Sequence, residues 1–309
     1  MKIYEGLTKF TPPDFPVVTS GTFDGVHRGH QKIIERIKTI ADKNNGETVL
    51  ITYWPHPRFV LNPDDDSLKL LNTFEEKASL LEEMGIDHLI KFTFDKKFSS
   101  QTSEEFIKNI LIDGLKTKKL VIGYDHRFGK NREGSFEHLK ENAGKYGFEV
   151  EEIPEQDVNN VAVSSTKIRK ALDEGKVEVA REYLGKDYSI TGFVGEGEKR
   201  GRELGFPTAN ITIPEKFKEI PANGVYGVHV NTRGKSYKGM MNIGVKPTFS
   251  GKQRSIEVHL FDFDDNIYGE KVTVYFDNFV RKEKKFNNTE ELISQLQKDK
   301  QVVLNRLNQ

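Results

Sequence analysis

Hydrophobic positions in the first half of the chain follow two alternating periodicities. Short runs of consecutive apolar and β-branched residues, as at 15–18 and 47–53, predict buried strands. Between them, apolar residues recur at helical spacing, as at 33–41, and predict an amphipathic helix. Strands that alternate with helices predict βαβ units and a mostly parallel sheet.

Local signals place the remaining elements of this half. Thr73 with Glu76, and Thr102 with Glu105, form capping boxes that predict two helix starts, and Gly85 ends the first of these helices. Further strands are predicted at 86–94, 120–124 and 148–153, and further helices at 135–146 and 175–185. The last of these helices is predicted to end the first domain, which therefore spans residues 1–185.

The pattern changes after Asp187 to short strands separated by turns. Six strands are predicted, at 189–194, 208–213, 224–230, 237–243, 256–263 and 271–276. The segment 231–234 has the composition of a hairpin turn, and Asn288 with Glu291 predicts the start of a C-terminal helix. Residues 186–309 are thus predicted to form an antiparallel barrel or sandwich followed by a helix.

Composition narrows the class of protein. Lysine plus arginine and aspartate plus glutamate each number 47, so the net charge is zero and binding to nucleic acid through bulk charge is not expected. The chain has no cysteine, which excludes disulfides and thiolate zinc sites. Residues 1–5 lack the apolar segment of a signal peptide, and no apolar run is long enough to span a membrane. We expect a cytoplasmic protein with no membrane partner, and the oligomeric state is left open.

The strongest candidate for chemistry is the glycine-rich turn between the strand at 15–18 and the helix at 33–41. Its residues are Gly21, Thr22, Phe23, Asp24 and Gly25, followed by His27 and His30. Backbone N–H groups at such a turn bind phosphate, and the helix N-terminus adds partial positive charge. Two imidazoles there can donate hydrogen bonds to charge on a transferring phosphoryl group. An ordinary glycine turn with surface histidines is the alternative.

Two later segments are predicted to lie at the same edge of the sheet. Asp125, Arg127 and Phe128 follow a strand, where they form either a binding loop or an ordinary polar loop. A second group of polar residues begins a helix; it consists of Ser164, Ser165, Thr166, Lys167 and Arg169. Hydroxyl and cationic groups at a helix start suit a triphosphate, although the hydroxyls could also be simple N-caps.

The second half carries a separate set of candidates. A basic glycine-rich loop, able to fold over phosphates or to be a plain surface loop, contains Gly195, Gly197, Lys199, Gly201 and Arg202. Thr208 and Asn210 alternate along a strand, so both side chains point to one face and could bind Mg²⁺. Glu257 could accept a proton as general base, or could be a solvent-facing strand residue.

Together these motifs resemble the prokaryotic bifunctional riboflavin kinase/FMN adenylyltransferase (FAD synthetase) family. The resemblance includes the HxGH signature at 27–30, the PTAN motif at 207–210 and the segment around Glu257. It extends over 242–248 and over 281–286, which contains Arg281 and Glu283. The chain departs from the family pattern at three positions, with Thr22 in place of Asn, His126 in place of Phe and Lys246 in place of Arg.

The resemblance implies a Rossmann-like nucleotidyltransferase domain with a parallel sheet, followed by a riboflavin kinase barrel and a C-terminal helix. In the barrel, Glu257 would accept the proton of riboflavin, Thr208 and Asn210 would hold Mg²⁺, and the basic loop, Arg281 and Glu283 would bind ATP and flavin. In the first domain, His27 and His30 would stabilise the transition state of FMN adenylylation by ATP. The glycine-rich turn, Asp125, Arg127 and Phe128 would border the nucleotide and flavin. The leaving pyrophosphate would be held by Ser164, Ser165, Thr166 and Arg169.

Two other functions are compatible with parts of the pattern. One is an adenylyl- or cytidylyltransferase for another phosphorylated substrate, with the barrel as a binding module. A solvent-facing Glu257, or the lack of a cleft beside Thr208 and Asn210, would favour it. The other is a non-catalytic flavin or nucleotide sensor, which requires a broken site, whereas the complete set of motif residues is present.

Overall fold

The computed structural model describes residues 1–65, 67–124, 127–130, 133–153, 163–196, 201, 204–248 and 251–307. The chain divides into two compact units, Met1–Ser165 and Thr166–Gln309. Each unit has its own sheet and its own buried apolar residues, and each is described separately below.

The first unit is built on a parallel sheet of six strands, in the order β1-β4-β3-β2-β5-β6. The strands are β1 (Lys2–Glu5), β2 (Pro16–Ser20), β3 (Glu47–Trp54), β4 (His88–Thr93), β5 (Lys119–Gly123) and β6 (Glu149–Ile153). The predicted parallel sheet is therefore confirmed. The order runs outward in both directions from β2 and β5, which creates a switch point where ligands bind in such sheets.

The α-helices of this unit begin after residues whose side chains cap them, and the π-helix directly continues one of these. They are α1 (Arg28–Lys43), α2 (Pro57–Leu61), α3 (Phe74–Glu83), α4 (Lys96–Ser99), α5 (Ser103–Phe106), a π-helix (Ile107–Gly114) and α6 (Phe136–Tyr146). Both predicted capping boxes are formed, at Thr73 and at Thr102. Adjacent strand residues such as Val17 and Val18 belong to different apolar clusters, because successive side chains point to opposite faces of the sheet.

The second unit is a closed antiparallel barrel in the order β10-β11-β8-β7-β12-β9. Its elements are α7 (Ser165–Asp173, beginning at the last residue of the first unit), α8 (Val177–Leu184), β7 (Ser189–Gly195), β8 (Ala209–Thr212), β9 (Gly224–Thr232), β10 (Lys235–Thr248), β11 (Gly251–Leu260), β12 (Lys271–Arg281) and α9 (Thr289–Leu307). The barrel and the final helix confirm the predicted fold class. At the predicted hairpin, Arg233 and Gly234 both have positive φ, at 49° and 74°, as a two-residue type I′ turn requires.

Candidate active sites

A cleft of about 900 Å³ opens at the carboxyl edge of the sheet in the first unit. Its walls come from the ends of four strands and the segments that follow them. They include Ser20 at the end of β2 with 21–23 after it, Tyr53 in β3 with Arg58 of α2, Phe94 and Phe98 after β4, and Arg127–Lys130 after β5. The predicted turn at Gly21, Thr22 and Phe23 and the predicted loop at Arg127 and Phe128 therefore border one cleft.

The turn after β2 has an unusual backbone. Phe23, Gly25 and Val26 all have positive φ, at 49°, 86° and 42°. Glycine adopts this conformation freely, whereas for the other two it costs roughly 1–2 kcal/mol each. Both of these side chains are fully buried in the apolar cluster below the turn, and this packing holds the strained backbone in place.

His27 and His30 lie against each other, as their spacing predicts. Their rings stack with centroids 3.7 Å apart and an interplanar angle of 13°. His27 is the N-cap of α1 and accepts the backbone N–H of His30 at Nδ1 over 3.4 Å. His30 borders the cleft, whereas His27 is buried behind it.

The environment of His30 favours the neutral imidazole. Burial lowers its pKa well below the usual value, and the nearby His27 and Lys77 lower this pKa further. Its Nδ1 atom is buried and has no hydrogen-bond partner among the described residues. A neutral imidazole at the cleft wall can donate a single hydrogen bond to a ligand oxygen.

Asp24 supports the cleft from behind. Its carboxylate accepts the backbone N–H groups of Leu71 at 2.9 Å and Asn72 at 3.3 Å, and only 5% of the residue is exposed. Its carbonyl oxygen accepts the hydroxyl of Ser165 at 2.9 Å. Asp24 thus ties the turn to the segment before α3 and to the start of α7.

The structure describes only some of the other predicted residues of this site. Arg127 lies 3.5 Å from Glu137, and the ring of Phe128 packs 5.4 Å from that of Phe106. Asp125 and His126 lie outside the described residues. Thr166 and Arg169 belong to the second unit by contact, so their part in this site stays a prediction.

The sequence did not single out Tyr53 as part of this cleft. Its hydroxyl bonds to Ser20 at 2.8 Å, and burial raises its pKa to about 12. In the sequence, Tyr53 is an aromatic residue near the end of a predicted strand, which is a common pattern. Only the position of β3 next to β2 in the sheet could have indicated that Tyr53 borders the cleft.

A second cleft, of about 360 Å³, lies within the barrel unit. Thr208, Glu257, Arg281 and Glu283, all predicted site residues, line it together with Asn242. The Thr208 hydroxyl donates to Glu257 at 3.4 Å, and the Glu257 side chain is half-buried in the cleft wall.

Strand register explains how Glu257 enters the cleft. It is paired with Asn210 on β8 and with Asn242 on β10, and residues directly opposite in a sheet point to the same face. Three oxygen-bearing side chains therefore lie in a row across neighbouring strands. Gly195 continues this row on β7.

The basic glycine-rich loop is described only in part. Gly201 lines the cleft, and a Cβ at this position would clash with the carbonyl oxygen of Phe206, so the close approach requires glycine. Gly197, Lys199 and Arg202 lie outside the described residues, as do the side chains of 246–248.

Arg281 is held by a residue that the sequence analysis missed. Asp299 of α9, 2% exposed, accepts hydrogen bonds from Nε and Nη2 of Arg281 at 2.8–3.0 Å. Gln295 donates to the same carboxylate at 2.8 Å. Glu283 on the same wall accepts from Asn223 at 3.3 Å. The only sequence signal for Asp299 is its position four residues before Val303 on the buried side of α9.

Comparison with known proteins follows the same division. A family model described as FAD synthetase matches residues 12–167, and one described as riboflavin kinase matches residues 184–307. The bifunctional riboflavin kinase/FMN adenylyltransferase of Buchnera aphidicola subsp. Schizaphis graminum (strain Sg) is 44% identical over 291 residues, which cover 93% of this chain and 92% of that protein. The protein of the same description from Bacillus subtilis (strain 168) is 40% identical over 290 residues, covering 92% and 90%. The chain belongs to this bifunctional family.

Membership makes the chain a transferase of flavin cofactor biosynthesis with riboflavin kinase and FMN adenylyltransferase activities. The resemblance inferred from the motifs is thereby confirmed. Riboflavin, FMN, FAD and ATP are the corresponding substrates and products. If the barrel served only as a binding module, Glu257 would be expected to face solvent. Instead, Glu257 is half-buried in a cleft beside Thr208.

A solved structure with the same fold carries a different description. A crystal structure described as a macrolide-efflux protein from Streptococcus pneumoniae has a TM-score of 0.88 and 32% identity, and the match covers 98% of each chain. In the described part of this riboflavin kinase/FMN adenylyltransferase family member, no helix has the length and apolar character to cross a bilayer. The likeness supports the fold, and the function rests on the family models and the curated relatives.

Proposed function

We propose that the first cleft is the FMN adenylyltransferase site and the second cleft is the riboflavin kinase site. The observation that carries this proposal is that each family match contains every wall residue of one cleft. We place the functional boundary at 185/186, close to residue 184, where the kinase match begins.

In the first cleft, the phosphate of FMN attacks the α-phosphorus of ATP. A new P–O bond forms, the bond to the bridging oxygen breaks, and pyrophosphate leaves, so no nucleophilic side chain is needed. Neutral His30 donates a hydrogen bond to the developing charge, and His27 fixes the ring by stacking. The turn at Gly21–Gly25 binds phosphate, Asp125, Arg127 and Phe128 border the substrates, and Ser164, Ser165, Thr166 and Arg169 hold pyrophosphate.

In the second cleft, the ribityl hydroxyl of riboflavin attacks the γ-phosphorus of ATP while Glu257 accepts its proton. ADP leaves with the electrons of the broken P–O bond. The oxygen atoms of Thr208 and Asn210 suit Mg²⁺, a hard cation. This role is supported by the pairing of Asn210 with Glu257 across neighbouring strands and by the hydrogen bond from the Thr208 hydroxyl to Glu257. When bound with ATP, Mg²⁺ neutralises phosphate charge. Gly195, Gly197, Lys199, Gly201 and Arg202 cover the phosphates, and Arg281 and Glu283 contact substrate.

We further propose that the enzyme works in the cytoplasm on small molecules, without nucleic-acid or membrane partners. The balanced charge of the chain supports the absence of such partners, because a protein without net charge has no bulk electrostatic attraction to nucleic acid or to an anionic membrane.

A product assay tests the two-site proposal. The purified protein is incubated with riboflavin, ATP and Mg²⁺, and the products are resolved by chromatography. FMN should appear first and FAD should follow. FMN without FAD would mean that the first cleft acts on another acceptor. FAD formed only from added FMN would leave the barrel as a binding module.

Replacement of Asp299 by asparagine should lower kcat/KM for riboflavin phosphorylation about tenfold or more and destabilise the barrel unit by about 3 kcal/mol. The change leaves the largely buried guanidinium of Arg281 without its paired charge. The measurements are FMN formation at saturating and limiting riboflavin and the thermal unfolding of the variant.

The control is Arg306→Gln, on the same helix as Asp299, which breaks an exposed pair with Glu178 of α8. An exposed pair contributes little, so both activity and unfolding temperature should stay near those of the wild type. Equal effects of the two substitutions would contradict a role for Asp299 in holding Arg281.

A further inference from the structure

Helix α3 buries a lysine within its apolar stripe. Phe74, Ala78 and Leu81 form that stripe, and Lys77 lies on it with only 4% of its surface exposed. Lysine is almost never buried to this extent unless its ammonium group is paired. The partners of that ammonium group therefore indicate why the position is not apolar.

The Lys77 ammonium group binds the back of the turn that borders the first cleft. Nζ donates to the carbonyl oxygen of Thr22 at 3.0 Å and to the hydroxyl of Thr52 at 2.9 Å. The Thr52 hydroxyl donates in turn to the same carbonyl at 3.3 Å. Nζ also lies 5.5 Å from the ring centroid of Trp54, within range of a cation–π interaction. The Thr22 carbonyl is thus held from α3 and from β3 at once.

Fixing this carbonyl fixes the next residue as well. The peptide bond is planar, so the orientation of the Thr22 carbonyl sets that of the Phe23 N–H, which points the opposite way. Phe23 has a φ of 49°, which must be held in place by its surroundings. Its ring lies 4.9 Å from that of His30. Lys77 is therefore connected to His30 through one peptide plane and one aromatic ring.

The charges around Lys77 also act on His30. Burial lowers the pKa of Lys77 to about 8, with Lys91 on β4 lowering it further and the carboxylate of Asp24 opposing the shift. The side chain is thus mostly charged at neutral pH. That charge, together with His27 at the start of α1, lowers the pKa of His30. The β3 residues that contact the Lys77 ammonium group, Thr52 and Trp54, carry no charge.

We propose that Lys77 is a positioning residue for FMN adenylylation: its buried ammonium group holds the Thr22 carbonyl and thereby sets Phe23 against His30. The proposal rests on the placement of the adenylyltransferase site in the first cleft. It also gives anionic substrates a fixed positive charge behind the turn.

Two substitutions of Lys77 in the full-length protein, with one matched control, test the proposal. Lys77→Met should lower kcat for FAD formation from FMN and ATP about 100-fold, because small misplacements of reacting groups have effects of this size. Lys77→Arg keeps the positive charge and the hydrogen-bond donors, so it should form FAD at least tenfold faster than Lys77→Met. Lys38→Met removes another lysine that donates to a backbone carbonyl, that of Met84, and should leave FAD formation within twofold of the wild type. FMN formation from riboflavin should be unchanged in all three.

The pH profile separates positioning from general stability. Removal of the Lys77 charge raises the pKa of His30, so the acid limb of kcat for FAD formation should move to higher pH in Lys77→Met and stay in place in Lys77→Arg.

If Lys77→Met fails to fold, Thr52→Val removes one of the two hydrogen bonds to Thr22 and keeps the charge. The Thr52→Val variant should form FAD three- to tenfold more slowly, and the acid limb of its pH profile should stay in place.

FAD formation within threefold of the wild type in folded Lys77→Met, or unchanged in Thr52→Val, would overturn the role of Lys77. His30→Ala is assayed in parallel. If His30→Ala loses FAD formation while Lys77→Met retains it, only the positioning role is wrong. If His30→Ala itself retains FAD formation, the placement of the site in this cleft is wrong.

Discussion

Replacement of His30 by alanine is expected to lower kcat for FAD formation about a thousandfold and to leave FMN formation within twofold of the wild type. His30 borders the first cleft, and its neutral imidazole offers one hydrogen bond to the transferring phosphoryl group. Loss of one such donor typically costs 10²- to 10³-fold in kcat. The ring also packs between His27 and Phe23, so its removal loosens the turn as well. The measurement is the rate of FAD formation from FMN and ATP at saturating concentrations.

His138→Ala is the matched control for this experiment. His138 lies on α6 in the same unit and bonds to Tyr146 at 3.1 Å, outside the walls of the cleft. It should leave both activities near those of the wild type. A folded His30→Ala variant that keeps a tenth or more of its FAD formation would contradict the placement of the transfer site in this cleft. Loss of both activities in a folded protein would contradict two separate sites.

Replacement of Glu257 by glutamine should have the reverse effect, lowering riboflavin phosphorylation about a thousandfold while FAD still forms from supplied FMN. Glutamine has the size of glutamate and can still accept a hydrogen bond from Thr208, so the cleft keeps its shape. It cannot accept a proton, and general base catalysis typically contributes 10²- to 10⁴-fold. Separate assays of FMN formation and of FAD formation from added FMN measure both effects.

The control for Glu257 is Glu270→Gln. Glu270 lies in the same unit and pairs with Arg233 at 2.9 Å on an exposed surface. Its replacement should change neither rate. If Glu257→Gln phosphorylates riboflavin at a rate within tenfold of the wild type, Glu257 is not the general base. The proton of the riboflavin hydroxyl must then leave by another route.

Periodicity predicted most of the fold because burial enforces it. The apolar stripe at Ile33, Ile37 and Ile40 is buried as predicted, and both capping boxes start helices where expected. The strand β1 was missed, since its four residues lie at the sheet edge and are mostly exposed. The π-helix at 107–114 was predicted only as a helix, because its apolar residues recur at spacings that an α-helix also buries.

For the sites, residues with a chemical motif were easier to predict than the residues that hold them. His30 and Glu257 line the clefts as expected, and Asp24 instead binds backbone N–H groups behind the first cleft. Lys77 and Asp299 were missed because each is a charged residue on the buried face of a helix. A sequence pattern assigns such residues to solvent, and only the tertiary partner shows otherwise.

The stacked histidines fix a tautomer as well as a geometry. His27 accepts the amide of His30 at Nδ1, so this nitrogen carries no proton and a neutral ring holds its hydrogen on Nε2. The ring thus serves as the acceptor at the N-cap, a role that serine, threonine or aspartate usually takes. In hydrogen-exchange terms, this bond protects the His30 amide, which makes a single backbone N–H a reporter of whether the His27 ring is seated at the start of α1.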